Sequence, residues 1–177
     1  NVELQRFLQG FLWEVEVEPV AEGRRPRLYK HDKVIHTRND YSKGVMNGEQ
    51  GFVIGVGSPE SEAAGGLKRH ELLVDFDGHR VTYDTAKHEE VDLQLAYALT
   101  VHKCQGSQMK CAIVVMHKSQ SFMHHRNLFY TAVTRAQEMA IVIGDAWGIR
   151  NAAQKEEVGR RKTFMSVLRS LQDLEAA

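Results

Sequence analysis

Cysteine is scarce: Cys104 and Cys111 are the only two in 177 residues. That is too few for a disulfide framework and in keeping with a reducing compartment. With His117 they lack the CxxC or HxxxH spacing of a metal site, so no metal is expected and the thiols read as buried or neutral side chains. Long apolar runs are missing as well. Nothing approaches the roughly 18 residues needed to span a bilayer, and the opening NVELQRF lacks the basic-then-apolar pattern of a leader. The chain therefore reads as cytoplasmic, with no membrane partner. Nor is there an excess of either charge. The 23 basic and 23 acidic side chains cancel, so any contact with nucleic acid must come from a local patch. Asn1 has no initiator methionine before it, a start that a fragment, processing or a removed tag would each give.

What is present suffices for one moderate core, or a core with a small satellite module, since 42% of residues are hydrophobic. Three regions differ in pattern. In 1–27, Leu4, Phe7, Leu8, Phe11 and Leu12 recur at helical spacing, and Gly10 and Pro19 weaken the case for continuation. The helix is expected to begin upstream of Asn1. Region 28–91 changes to strand chemistry, where Asn47-Gly48 and Asp77-Gly78 among apolar residues predict two tight hairpins. SPESEAAGG (58–66) between them reads as a flexible surface loop without chemistry. Several short strands in so few residues suggest an SH3-like or OB-like β-barrel. Region 92–177 alternates helix and strand in α/β order with a parallel sheet. CAIVVM (111–116) and MAIVIGD (139–145) are its buried strands, and NLFYTAVTRAQ (127–137) is helical. Phe164, Val167, Leu168 and Leu171 share a face of a packed terminal helix, preceded by Arg160, Arg161 and Lys162 as a solvated face.

Chemistry concentrates in two segments. In YALTVHKCQGSQ, Thr100, His102, Lys103, Gln105, Gly106 and Ser107 set hydroxyl, amide and ammonium donors around a glycine that permits close backbone approach, a turn suited to phosphate. A polar surface turn would look the same. In NLFYTAVTRAQ, Leu128, Ala132, Val133 and Ala136 form one helical face, with Thr131, Thr134 and Arg135 offset from it. From there an arginine could cross a cleft to a nucleotide and stabilise charge on a transferred phosphoryl group; a surface arginine is the plain alternative.

The order HDKVIHTRNDY, VMNGEQG, a DG hairpin, AYALTVHKCQGSQ, NLFYTAVTRA and IVIGD resembles the second motor domain of RecD-like superfamily 1 DNA helicases, the exodeoxyribonuclease V alpha subunit family, over nearly the whole chain. An HKxQGS loop paired with a YTAxTRA helix corresponds to motifs V and VI of that family. The resemblance implies a RecA-like domain formed by 1–27 and 92–177, interrupted by an SH3-like barrel at 28–91. It implies ATP-driven, 5′-to-3′ translocation on single-stranded DNA. Its partners would be the N-terminal motor domain of the same protein and, in an exonuclease V complex, the other subunits. Arg135 falls on the catalytic arginine that reaches the γ-phosphate, with Gly106 and Gln108 beside the nucleotide. Thr100, His102, Lys103, Gln105 and Ser107 fall on the loop along the DNA backbone, and Arg38, Asn39 and Tyr41 on a polar stretch near the barrel that also implies DNA contact.

Three residues depart from the family pattern: Gln108 where Glu is common, Cys104 where Ser is common, and His31 where Gly is common. Gln108 keeps a hydrogen-bonding group and loses the charge. No GxxxxGK[ST] is present, nor a separate acidic Mg²⁺ motif after an apolar strand. Both belong to the family's first motor domain, so ATP and Mg²⁺ are expected to be held mainly there, and this chain alone is not expected to hydrolyse ATP. Two rival readings lack a motor: a barrel that grips single strands through Phe52, Phe76 and Tyr83, and a barrel that docks a protein partner. Within the helicase reading, a stand-alone enzyme, an exonuclease V subunit and a conjugative relaxase are not distinguished.

Overall fold

Alternation in ELLVDF puts Leu72, Val74 and Phe76 on one face of strand β3 (Glu71–Phe76), and burial follows that period of two. Strand β4 (His79–Asp84) returns antiparallel through Asp77-Gly78, whose φ values of 53° and 93° make the two-residue mirror-image turn that the sequence predicts. The computed structural model describes residues 1–19 and 24–156. The chain divides into two compact units, Asn1–Leu99 and Thr100–Ala177.

In the first unit, β1 (Lys33–His36), β2 (Gln50–Val56) and β5 (Leu93–Leu95) join β3 and β4 in a five-stranded antiparallel sheet of order β4-β3-β2-β1-β5. Two short 3-10 turns, Thr85–Lys87 and Glu89–Asp92, lead into β5. Val34, Val45, Val53, Leu72, Val74, Val81, Tyr83 and Leu93 build its core. The sheet is open: β4 and β5 lie at opposite ends and are not hydrogen-bonded, so the closed barrel expected for 28–91 is not seen.

The Asn47-Gly48 hairpin is also not seen. β1 and β2 are joined by the long loop 37–49, whose base is closed by Gly48 at φ 96° donating its N–H to the His36 carbonyl, and whose middle holds an Asp40–Val45 bridge. Only Gly48 of the pair takes a positive φ here, where the two-residue hairpin turn needs it at both positions, so the same dipeptide serves a different turn. The 58–66 segment, expected to be a loop, contains the helix α2 (Pro59–Ala63), started by proline in its first turn and by the Ser58 hydroxyl accepting the Ser61 N–H.

Helix α1 (Val2–Trp13) runs through Gly10 and ends at Glu14 in the left-handed conformation. Its burial inverts the apolar stripe. Gln5 and Gln9 are fully buried, whereas Leu4, Phe7, Phe11 and Leu12 are exposed. The cause is Asp32, itself fully buried, which accepts from Gln5 Nε2 and Gln9 Nε2 at 2.5 and 2.8 Å. A buried carboxylate without donors is far costlier than an exposed leucine, so polar satisfaction sets which face turns inward.

In the second unit, β6 (Met109–Met116) and β7 (Ala136–Gly144) pair in parallel, with α3 (Arg126–Val133) between them in sequence and α4 (Ala146–Gln154) after them. Val114, Met116, Ala132 and Ala152 form the core, with Val101, Phe129, Val142 and Ile149 against it. Among the described residues, only one sheet face is covered. Ile113, Val115, Ile141 and Ile143 on the other are 40–63% exposed; of the two strands expected to be buried, β6 is buried on one side through Ala112, Val114 and Met116, whereas β7 has no buried residue and only Ala136 and Val142 half-buried. The expected terminal helix, with Arg160, Arg161, Lys162, Phe164, Val167, Leu168 and Leu171, lies outside the described residues.

Candidate functional site

The 100–108 segment is a built turn. Thr100 starts the 3-10 helix Val101–Cys104, its hydroxyl accepting the Lys103 N–H at 3.4 Å. Gln105 then takes φ −63°, ψ 133° and Gly106 φ 84°, while the Ser107 N–H donates to the Cys104 carbonyl at 3.2 Å. That is a type II turn, which requires positive φ at its third position. A Cβ placed on Gly106 would meet nothing within 4 Å, so the surface over the glycine is open for approach. Thr100, His102, Lys103, Gln105, Gly106 and Gln108 are exposed and Ser107 half-buried.

Arg135 does not lie on the helix that its sequence pattern predicts. α3 stops at Val133, and Ala136, expected on the helical face, already opens β7. The Thr134 hydroxyl, at the helix C-cap, donates back to the carbonyls of Tyr130 and Thr131, at 2.9 and 3.2 Å. Arg135 therefore occupies the helix-to-strand turn. Its Nε donates to the Thr131 carbonyl at 3.2 Å, its Nη1 to the Ser107 carbonyl at 3.3 Å, and its own carbonyl accepts the Met109 N–H at 2.9 Å. Gln137 Nε2 adds a bond to Gln108 Oε1 at 3.0 Å. Thus the glycine turn and the arginine, 29 residues apart in sequence, are brought together at the point where β6 and β7 begin.

Of the five N–H groups of a guanidinium, three of those on Arg135 have no acceptor among the described residues. No carboxylate competes in sequence either. Between Asp92 and Glu138 the chain has Lys103, Lys110, Lys118, Arg126 and Arg135 and no Asp or Glu. The zero net charge conceals a division along the unit boundary: Asn1–Leu99 has twelve Lys/Arg against seventeen Asp/Glu, net −5, and Thr100–Ala177 eleven against six, net +5. Counting charge by region rather than over the whole chain would have found this excess of basic residues in the second unit's sequence. The carbonyls of Thr131 and Ser107 that aim the arginine leave no mark in sequence.

The other candidates belong to the first unit. Arg38 is exposed and 3.9 Å from an Asp92 carboxylate oxygen. Asn39 Oδ1 accepts the Asn47 N–H at 2.8 Å, and Tyr41 is 79% exposed. Their loop is stiffened by Asp40, whose carboxylate accepts from the Ser42 hydroxyl and the N–H groups of Ser42 and Lys43. The Ser42 hydroxyl, then the Lys43 N–H, hold Asp40 below the usual carboxylate range. Of the three aromatic residues considered for stacking, Phe76 and Tyr83 are core residues and Phe52 alone is exposed.

At the far end of β7, Asp145 caps α4 by accepting the Gly148 N–H at 2.6 Å, and it also accepts the Lys118 N–H at 2.8 Å. Those two bonds lower its pKa. Cys104 lies in the 3-10 helix and Cys111 is exposed on β6; among the described residues no three His, Cys, Asp or Glu side chains cluster to hold a metal. No helix among them is long and apolar enough to cross a membrane.

Residues 95–143, which span the glycine turn, α3 and Arg135, match the UvrD-like helicase C-terminal domain. The chain is 41% identical over 140 residues to the ATP-dependent RecD2 DNA helicase of Deinococcus radiodurans, covering 77% of this chain and 17% of that protein. It is 32% identical over 153 residues to the RecBCD enzyme subunit RecD of Mycolicibacterium smegmatis, covering 86% of this chain and 24% of that protein. In fold it is similar to a Bacteroides Pif1 helicase solved with ADP-AlF3 and ssDNA, with TM-score 0.58 and 19% identity over 97% of this chain and 43% of that one. The chain thus spans between a sixth and a quarter of the length of these two sequence relatives, and it belongs to the RecD-like superfamily 1 helicases as a C-terminal part of one.

Proposed function

We propose that this chain is the second motor half of an ATP-dependent DNA helicase or translocase moving 5′ to 3′ on single-stranded DNA, with Arg135 as its γ-phosphate arginine. The observation that carries the reading is the Arg135 guanidinium, anchored on the carbonyls of Thr131 and Ser107 with three N–H groups left over among the described residues. Because one anchor is the glycine turn itself, a pull on the arginine by a nucleotide displaces the DNA-facing loop, and the reverse also holds. The turn and the arginine precede β6 and β7, whereas nucleotide cradles in α/β folds sit beyond the carboxyl ends of strands. This favours an arginine offered to a nucleotide held by another domain. A P-loop half would supply the phosphate cradle and Mg²⁺, so the chain alone should hydrolyse ATP only at background.

On this reading Thr100, His102, Lys103, Gln105 and Ser107 contact the DNA backbone and Gly106 and Gln108 lie beside the nucleotide. Arg38 and Tyr41 add a second DNA contact while Asn39 shapes their loop. The strand order β5-β1-β2-β3-β4 with a 3-10 turn before the last strand supports an SH3-like module that takes in β5 beyond the 28–91 bounds, set into a RecA-like domain of 1–27 and the rest of 92–177. Association with other exonuclease V subunits is the corresponding proposal for a RecD-type chain. The rival in which the barrel alone grips single strands is disfavoured by its acidic unit and by the burial of Phe76 and Tyr83.

The test uses the complete helicase. Arg135→Ala should slow ATP hydrolysis by about 10³-fold with DNA affinity nearly intact. Lys103→Ala should weaken DNA binding and reduce the slope of log affinity against log salt by about 1. Normal hydrolysis by Arg135→Ala sinks the assignment.

A further inference from the structure

Two adjoining cavities of the first unit, unused by the proposed motor chemistry, differ in what walls them. The smaller, about 430 Å³, is walled by the rings of Trp13, Tyr29 and His31. The larger, about 680 Å³, is walled by Arg24, Arg25 and Arg69. Arg27, Leu28 and Val56 line both, so one runs into the other. Each volume is of the size that holds a small ligand. The aromatic end is a built feature. Trp13 closes α1, His31 lies in the turn before β1, and their rings stack with centroids 4.8 Å apart and planes 12° apart. His31 holds that place at φ 75°, a conformation that residues other than glycine rarely adopt. The turn is fixed by the His31 N–H donating to the Val53 carbonyl at 2.7 Å and the Asp32 N–H to the Tyr29 carbonyl at 3.1 Å. Both stacked rings remain exposed, Trp13 at 37%. A strained backbone that carries an exposed ring points to a use for the ring.

The other end reverses the charge of its surroundings. Among the described residues lining the two cavities, Arg24, Arg25, Arg27, Lys30 and Arg69 face only two acids, Glu71 and Glu90, in a unit that has twelve Lys/Arg against seventeen Asp/Glu. Both acids are engaged: Glu71 accepts the Lys68 N–H at 2.9 Å and Glu90 lies 3.9 Å from the His88 ring. Arg25 donates to the Val91 carbonyl, and Arg27 pairs with Glu18 at 2.9 Å. The guanidinium groups of Arg24 and Arg69 have no partner among the described residues. Guanidinium forks match phosphate oxygens, and aromatic walls take the face of a base. We propose that the joined cavities bind a nucleotide, its base against Trp13, Tyr29 and His31 and its phosphate on Arg24 and Arg69. A free nucleotide and a single strand share that chemistry. The site is not the barrel grip set aside above, since Phe52, Phe76 and Tyr83 line neither cavity. A unit of net charge −5 repels a polyanion from afar, so the arginines act at contact, within the roughly 8 Å over which salt leaves a charge felt.

The experiment uses the 177-residue chain, whose two tryptophans are Trp13 and Trp147. Trp147 is 57% exposed, so Trp147→Phe leaves the fold intact and makes Trp13 the sole reporter. Quenching of its fluorescence then reads this site alone, whatever binds elsewhere on the chain. ADP and oligo(dT) are the two probes, and a stacked base should quench Trp13. Quenching by both assigns the site to a nucleotide from either source, by oligo(dT) alone to a strand, and by ADP alone to a free nucleotide. Quenching by neither overturns the proposal. In the same background, Arg69→Ala should weaken the quenching probe about tenfold. His31→Gly, which relieves the backbone and removes one ring, should weaken it about fivefold with the melting temperature unchanged. A quench undiminished by Arg69→Ala overturns the phosphate assignment. A His31→Gly chain that melts lower yet binds as before makes the stack a structural element and overturns its role as the base platform. Neither outcome depends on Arg135, whose own substitution tests the motor reading.

Discussion

Two residues show how a single backbone or side-chain choice shapes the site. Gly106 stands at φ 84° with open space where a Cβ would go, so Gly106→Ala adds backbone strain and no collision. It should destabilise the turn by about 1 kcal/mol and weaken DNA binding, with the rest of the fold intact; calorimetry beside an oligonucleotide titration checks both. Asp145 is an acid-sensitive group among the described residues of its unit. Its pKa is lowered first by the Gly148 N–H and then by the Lys118 N–H, so its stabilisation is complete above the ordinary carboxylate range and is lost as pH falls through the depressed value. Asp145→Asn, which keeps a hydrogen-bond acceptor and removes the charge, should flatten the acid limb of melting temperature measured from about pH 6 to about pH 2. An unaltered limb would mean that other carboxylates dominate it.

At the scale of elements, the β6–β7 pair is the frame that unites the glycine turn with Arg135, and its weak point is Gly144. A Cβ there would lie 1.8 Å from the Met116 carbonyl oxygen, so Gly144→Ala must part the strands. A loss of about 1–3 kcal/mol in denaturant unfolding is expected, and a neutral result would show that the pairing gives way easily. Which elements were legible in sequence follows from the same local physics. Asp77-Gly78 read correctly because two alternating strands abut it, while Asn47-Gly48 carries the same signal inside a long loop. α3 read one turn too long because Ala136, apolar at helical spacing, already belongs to β7, and periodicity does not tell the two settings apart. The glycine turn and the arginine were identifiable as motifs. Their contact was not, since it runs through main-chain carbonyls. α1 misled most, as its apolar stripe faces outward and two glutamines are inside, a choice dictated by Asp32 far along the chain.

For the molecule as a whole, the sheet face that no described residue covers matters most for how the chain behaves in solution. Ile113, Val115, Ile141 and Ile143 form a contiguous apolar surface of the kind that drives association. The isolated chain should self-associate in sedimentation velocity, and Ile143→Lys should shift it toward monomer with little change in melting temperature. A monodisperse wild type at high concentration would refute this. The division of charge has a different consequence. With −5 on one unit and +5 on the other, a chain of zero net charge should be retained at the same neutral pH by both cation- and anion-exchange resins. A polyanion approaching in solution is accordingly repelled by one unit and drawn to the other, so the encounter is sorted by charge before any hydrogen bond forms.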